Sequence, residues 1–204
     1  MNLPNKISLT RIIAIPFVMF FYLADFIPYA IGKIIALVLF SVIALTDLVD
    51  GKIARSRGLV TDLGKFLDPI ADKLLMTTGL LLILADGTMI APWGVIMAII
   101  IVAREFIVSA LRQIAATKKV VLAADMLGKI KANFQPVAIA FFMLLAVHNV
   151  TPFLGSFELA YTIICYVLMG IATILTIISG VNYLVKNRVV FKEDKKEESQ
   201  DNNN

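Results

Sequence analysis

Apolar residues in this chain come in long blocks, and polar residues are confined to the gaps between them. Six blocks stand out, at 12–29, 34–45, 74–84, 93–114, 134–147 and 159–185. The first, fourth and sixth approach or exceed the roughly 20 apolar residues that carry an α-helix across a bilayer. The other three fall short, and reach that length only if their polar flanks are helical too. The pattern predicts an all-α fold: a polytopic membrane bundle of six transmembrane helices, preceded by a short N-terminal interfacial segment. Composition supports the class, with 59% hydrophobic and only 17% charged residues, where a soluble domain carries about a quarter charged.

Charge then orients the bundle. Lys6 and Arg11 precede or open the first block, and Lys52, Arg55, Arg57 and Lys65 join the second to the third. Arg112, Lys118, Lys119, Lys129 and Lys131 lie between the fourth and fifth, and a basic cluster follows from Lys186. The alternate connectors hold a single cation, Lys33. The positive-inside rule therefore puts both termini in the cytoplasm of a multi-pass cell-membrane protein. The net charge of +4 follows from this topology, so the expected surroundings are a lipid bilayer and no nucleic acid. Residues 1–187 read as one membrane-embedded domain and 188–204 as a polar, disordered tail.

Three isolated features change little. Cys165, the one cysteine, excludes an intrachain disulfide and reads as a small packing residue. His148 closes an apolar block and reads as a boundary residue. Tyr22, Phe26, Tyr29 and Trp93 fit an aromatic belt at the outer interface.

The chemistry is concentrated in the connector at 47–73, DLVDGKIARSRGLVTDLGKFLDPIADK. Asp47 and Asp50 are three apart and Asp68 and Asp72 four apart, so on helices each pair shares a face. Gly58 reads as the end of one helix, Thr61 as the N-cap of the next with Asp62 in its first turn. Pro69 removes a backbone bond and predicts a local kink. Four converging carboxylates repel one another, and a divalent cation relieves that with oxygen-only ligands suited to magnesium, calcium or manganese. The plainer alternative is a solvated acidic loop balanced by Lys52, Arg55, Arg57 and Lys65. A transporter binding a permeating cation is a further alternative, but it predicts acids at mid-bilayer on broken helices. Here they cluster at one edge.

From Asp47 the chain fits D-x2-D-G-x2-A-R-x8-G-x3-D-x3-D through Asp47, Asp50, Gly51, Ala54, Arg55, Gly64, Asp68 and Asp72. This pattern resembles the signature of the CDP-alcohol phosphotransferase family, integral membrane enzymes of phospholipid synthesis. LDPIADK, REF-x-VS-x-LR and GK-x-K followed by Gln135 resemble its bacterial phosphatidylglycerophosphate synthase branch. Where that branch often has Thr, this chain has Ala132. The resemblance implies transfer of the phosphatidyl group of CDP-diacylglycerol to sn-glycerol 3-phosphate, with CMP released. Inositol phosphate, serine or phosphatidylglycerol are alternative acceptors.

On that resemblance, Asp47, Asp50, Asp68 and Asp72 hold two divalent cations (Mg2+ or Mn2+), and Asp72 is the catalytic base. Gly51, Arg55, Thr61 and Gly64, with Thr10 and Arg11 from the first helix, hold the liponucleotide. Arg112, Lys129, Lys131 and Arg104 bind the acceptor phosphate, and the enzyme is a homodimer. The alternative for Arg104 is a helix-tethering contact with Glu105.

Overall fold

The computed structural model describes residues 3–24, 26–56, 62–117 and 126–188; side chains are described from Ser8 onward, save those at 47–56, 62–66, 116, 117, 126, 127 and 129. Six helices follow in order: α1 (Leu3–Leu23), α2 (Tyr29–Ser56), α3 (Asp62–Ala85), α4 (Trp93–Thr117), α5 (Met126–Val150) and, after a 3-10 turn at Gly155–Phe157, α6 (Glu158–Lys186). Among the described residues there is no strand. The short apolar blocks do extend into their polar flanks: α2 runs eleven residues past Leu45 and α3 starts twelve before Leu74. Gly58, Thr61 and the tail beyond Arg188 lie outside the described residues.

One local expectation changes. α1 already begins at Leu3, so the N-terminal segment is continuous with the first apolar helix rather than a separate interfacial piece. Pro4 sits in the first turn, where its missing N–H costs no intrahelical bond. Pro69 lies inside α3 without ending it; the Lys73 ammonium donates to the Pro69 carbonyl at 3.0 Å.

Four helical stretches among the described residues are long and apolar enough to cross a membrane: Tyr29–Thr46, Trp93–Ala115, Ile130–Val150 and Gly155–Lys186; Ser8–Leu23 is a shorter apolar helix. α5 packs against α2, α3 and α6; α1 packs on α2 and α3, and α4 on α6 and α3. Val18, Phe40, Ile83, Ile139, Phe142 and Met169 are completely buried where these helices meet. Close approach depends on Gly79, whose added Cβ would lie 2.7 Å from Ile139 and 2.8 Å from Phe40. Small residues let helix backbones meet in this way where lipid offers no hydrophobic drive. Gly180 does the same for α6, against the Arg104 stem at 3.0 Å, while Gly170 faces open space and Gly155 supplies a positive φ in the turn. Cys165 is buried in the core, as its neighbours implied.

One end of the bundle is fastened by polar groups. Asp86, just past α3, accepts hydrogen bonds from the Tyr22 hydroxyl at 2.5 Å, the Lys33 ammonium at 2.7 Å and the Thr88 N–H at 3.0 Å. Tyr22 is therefore buried inside the bundle and not part of an aromatic belt, because Asp86 offers its hydroxyl a partner there. Phe26 and Trp93 remain exposed. Nearby, His148 caps the turn before α6: its Nδ1 accepts from the N–H groups of Phe153 (3.0 Å) and Leu154 (3.3 Å).

Burial alone would raise the Asp86 carboxyl, but the bonds from Lys33, Tyr22 and Thr88 outweigh it and hold the group below its ordinary 3.8. A depressed carboxyl stabilises the fold above its unfolded pKa, and that contribution is lost as pH falls through the folded value. Asp86→Ala leaves Lys33 buried without its partner and is expected to cost about 3 kcal/mol, read as a lower melting temperature in detergent at neutral pH. The wild type should approach the variant only well below pH 4. Equal melting temperatures at neutral pH would show that the lock contributes nothing.

Candidate active site

The opposite end of the bundle gathers the charged residues. α3 carries Asp68 and Asp72 one turn apart, both exposed, with Ala71 and Leu75 between and beyond them buried in the core. Leu75 is two turns beyond Asp68 and lies on the same face, so the acidic face of α3 turns towards the neighbouring helices and its carboxylates are exposed at the end of the bundle. Ser8 of α1, itself buried, donates its hydroxyl to the Asp68 carboxylate. Asp72 lines a narrow crevice of about 20 Å3 together with Arg11 of α1, Ala44 of α2 and Ala132 and Pro136 of α5. Ala44 and Pro136 also border a neighbouring groove of about 200 Å3 between α2 and α5, lined otherwise by side chains such as Phe40, Val137 and Phe141.

A basic cluster faces the acids. Lys131 of α5 lies within electrostatic range of Asp72, Lys73 and Arg104, and Lys73 within range of Asp72 and Arg112. Its members are held in different ways. Arg104 donates to Ser179 of α6 at 3.0 Å, and Arg112, exposed, donates to the Tyr183 hydroxyl at 3.3 Å with its guanidinium over that ring. The two arginines therefore share a face of α4, as their spacing implied. Lys131 is almost wholly buried and pairs with Glu105. Glu105 is 3.9 Å from Arg104, so its principal tether is to α5 rather than to its neighbour on α4.

The expected site residues separate into three groups. Asp68, Asp72, Arg11, Arg104, Arg112 and Lys131 have described side chains and converge on this end. Thr10 is exposed beside them on α1. Asp47, Asp50, Gly51 and Arg55 lie on the last turns of α2, Gly64 on the first turn of α3 and Lys129 on the first turn of α5; the described side chains do not include theirs, and Thr61 lies outside the described residues. Among the described residues no three carboxylate, His or Cys groups cluster around one point. The donor chemistry nevertheless fits a hard divalent cation, since the described pair, Asp68 and Asp72, presents carboxylate oxygens on one helix face.

Sequence reasoning assigned no role to Ser8, Lys73, Ser179 and Tyr183. Ser8 had a local signal, three residues before Arg11 on the same helix face. Ser179 and Tyr183 are four apart on α6, but nothing in that spacing names arginines 75 and 71 residues away as their partners.

A helical membrane bundle with acids and cations gathered at one end defines the class: a membrane-embedded enzyme or carrier for an anionic substrate. The chain belongs to the CDP-alcohol phosphatidyltransferase family, whose model matches residues 1–179. It is 41% identical over 197 residues to a CDP-diacylglycerol–glycerol-3-phosphate 3-phosphatidyltransferase of Bacillus subtilis, covering 91% of this chain and 95% of that one. The enzyme of the same name in Rickettsia felis is 35% identical over 182 residues, 89% of this chain and 93% of the relative. A probable phosphatidylglycerophosphate synthase of Mycobacterium tuberculosis is 34% identical over 188 residues, 91% and 81% of the two chains.

Proposed function

We propose that the protein transfers the phosphatidyl group of CDP-diacylglycerol to sn-glycerol 3-phosphate, releasing CMP. The observation that carries this reading is the position of Asp72: it lines the crevice, with the basic cluster within electrostatic range. An acid that accepts a proton and cations that hold a phosphorylated alcohol are thereby neighbours. The names of the relatives and the family membership support the same reaction.

In the reaction, the acceptor hydroxyl oxygen bonds to the phosphatidyl phosphorus as the phosphoanhydride bond to CMP breaks. CMP leaves with the electron pair, and the hydroxyl proton passes to the Asp72 carboxylate. A carboxylate is a weak base, so the proton moves as the new bond forms rather than beforehand. Ser8 holds Asp68 in place through its hydroxyl. Arg112 and Lys129 take the acceptor phosphate at the mouth, with Arg104 and Lys131 deeper; Gly51, Arg55, Thr61, Gly64, Thr10 and Arg11 accommodate the cytidine end. Asp47, Asp50, Asp68 and Asp72 would hold two divalent cations, magnesium or manganese, which supply neutralising charge to the diphosphate when bound. The α2–α5 groove, joined to the crevice at Ala44 and Pro136, suits an acyl chain that stays in the bilayer.

This reading extends to topology. All six helices cross the membrane, α1 and α3 included, with both termini and the site on the cytoplasmic side of the cell membrane, and the enzyme works as a homodimer. The basic residues gathered at the site end support the orientation.

The purified protein, supplied with CDP-diacylglycerol and magnesium, should release CMP with glycerol 3-phosphate and far less with serine, inositol phosphate or phosphatidylglycerol. Release with one of the others alone would replace the acceptor. Arg112→Ala is expected to raise the KM for glycerol 3-phosphate about tenfold, a lost charge-assisted bond, while the liponucleotide KM stays within twofold. Equal rises for both substrates would remove Arg112 from the acceptor pocket.

A further inference from the structure

The LDPIADK stretch ends on a cation that the mechanism above leaves unused. Lys73 follows Asp72 on α3, is partly exposed, and donates from its ammonium to the Pro69 carbonyl at 3.0 Å. That bond runs one helical turn backwards, the direction in which helix side chains lean, towards the helix N-terminus. The N-terminal half of α3 is the half that carries the acids, so the ammonium is brought level with the turn between Asp68 and Asp72. An ammonium has three donors, and the carbonyl takes one of them.

Its surroundings are cationic. Arg112 of α4 and Lys131 of α5 both lie within electrostatic range of Lys73, on helices that each pack against α3. Lys131 is almost wholly buried against Glu105, whereas Arg112 is exposed, with its guanidinium over the Tyr183 ring. Lys73 and Arg112 are therefore open to a ligand from solvent where Lys131 is not. Asp72 is the next residue in the chain, but adjacent helix positions do not face each other. Two like charges held near one another on separate helices repel, and an anion between them replaces the repulsion with two attractions.

We propose that Lys73 is a further binding residue for the phosphate of the acceptor alcohol, which it and Arg112 grip from α3 and α4. The inference rests on the transferase reading. A phosphate monoester brings nearly two negative charges and three acceptor oxygens, enough for both cations at once. The diphosphate of the liponucleotide suits this position less well. Arg11, which lines the crevice, and Ser8, bonded to Asp68, set α1 against the acidic face of α3, whereas the cations around Lys73 come from α4 and α5. The position also couples binding to chemistry. Lys73 and Asp72 are consecutive on one rigid helix, so an acceptor held by its phosphate at Lys73 has its hydroxyl delivered to the neighbouring carboxylate.

The test uses the full-length enzyme in detergent with CDP-diacylglycerol and magnesium. Lys73→Met, which keeps the stem and removes the charge, should raise the KM for glycerol 3-phosphate about tenfold, the loss of one charge-assisted bond. The liponucleotide KM should stay within twofold, and Lys73→Arg should recover most of the loss. Inorganic phosphate should compete with glycerol 3-phosphate in the wild type, and about tenfold more weakly in Lys73→Met. A fall in kcat with both KM values unchanged would mean that Lys73 acts on Asp72 and not on the acceptor; equal rises in both KM values would mean that it only supports the helix. Either result overturns the proposal. If Lys73→Met does not fold, amine labelling of the wild type decides: glycerol 3-phosphate should slow modification of Lys73 several-fold, and an unchanged rate rejects the assignment. A wild type that releases no CMP with glycerol 3-phosphate would instead defeat the transferase reading itself.

Discussion

Asp72→Asn is expected to lower CMP release by about a thousandfold or more while the protein stays folded. General-base groups contribute on the order of 10²–10⁴ to a rate, and an amide of nearly the same shape has no affinity for the hydroxyl proton. The fold should tolerate the change because the Asp72 side chain is exposed, whereas the packing of this turn comes from Ala71 and Leu75. Removing the charge takes an anion from the neighbourhood of Lys73 and Lys131, but Lys131 keeps its partner Glu105. Unchanged elution and melting with abolished turnover would place Asp72 in the catalytic machinery, as base or as cation ligand. Turnover within tenfold of wild type would move the base elsewhere and leave Asp72 as one more acid near the crevice.

The contrast between Asp72 and Lys131 shows what the amino-acid sequence discloses. Helix positions and the acidic faces were legible, because apolar blocks mark helices and a spacing of four puts Asp68 and Asp72 on one side. Extension of α2, α3 and α5 into polar flanks was legible too, since the short blocks could not otherwise make full-length helices. Partners were not legible. Nothing in the sequence pairs Lys131 with Glu105, and Tyr22 read as a belt residue, yet it holds Asp86. Periodicity tells which face of a helix a residue occupies but not which other helix covers that face. The Ser8–Asp68 and Arg104–Ser179 bonds join residues 60 and 75 positions apart, a separation at which local pattern carries no information.

Removal of divalent cations is expected to reduce activity at least a thousandfold, with magnesium or manganese restoring it. Charge neutralisation at a phosphoryl oxygen contributes several kcal/mol, and about 1.4 kcal/mol is a factor of ten in rate. The electrostatics of the resting protein argue in the same direction. Asp68 and Asp72 share one α3 face one turn apart, where like charges repel. An added cation between them should therefore stabilise the fold as well as the reaction. At a hundred times its dissociation constant, such an ion contributes about 2.7 kcal/mol, visible as a melting temperature that climbs with magnesium concentration in the absence of substrate. Asp68→Asn should flatten that climb, whereas Asp86→Asn at the far end of the bundle should lower the melting temperature without altering the magnesium response. Full activity in excess chelator, together with a melting temperature indifferent to magnesium, would mean that the carboxylates act without metal.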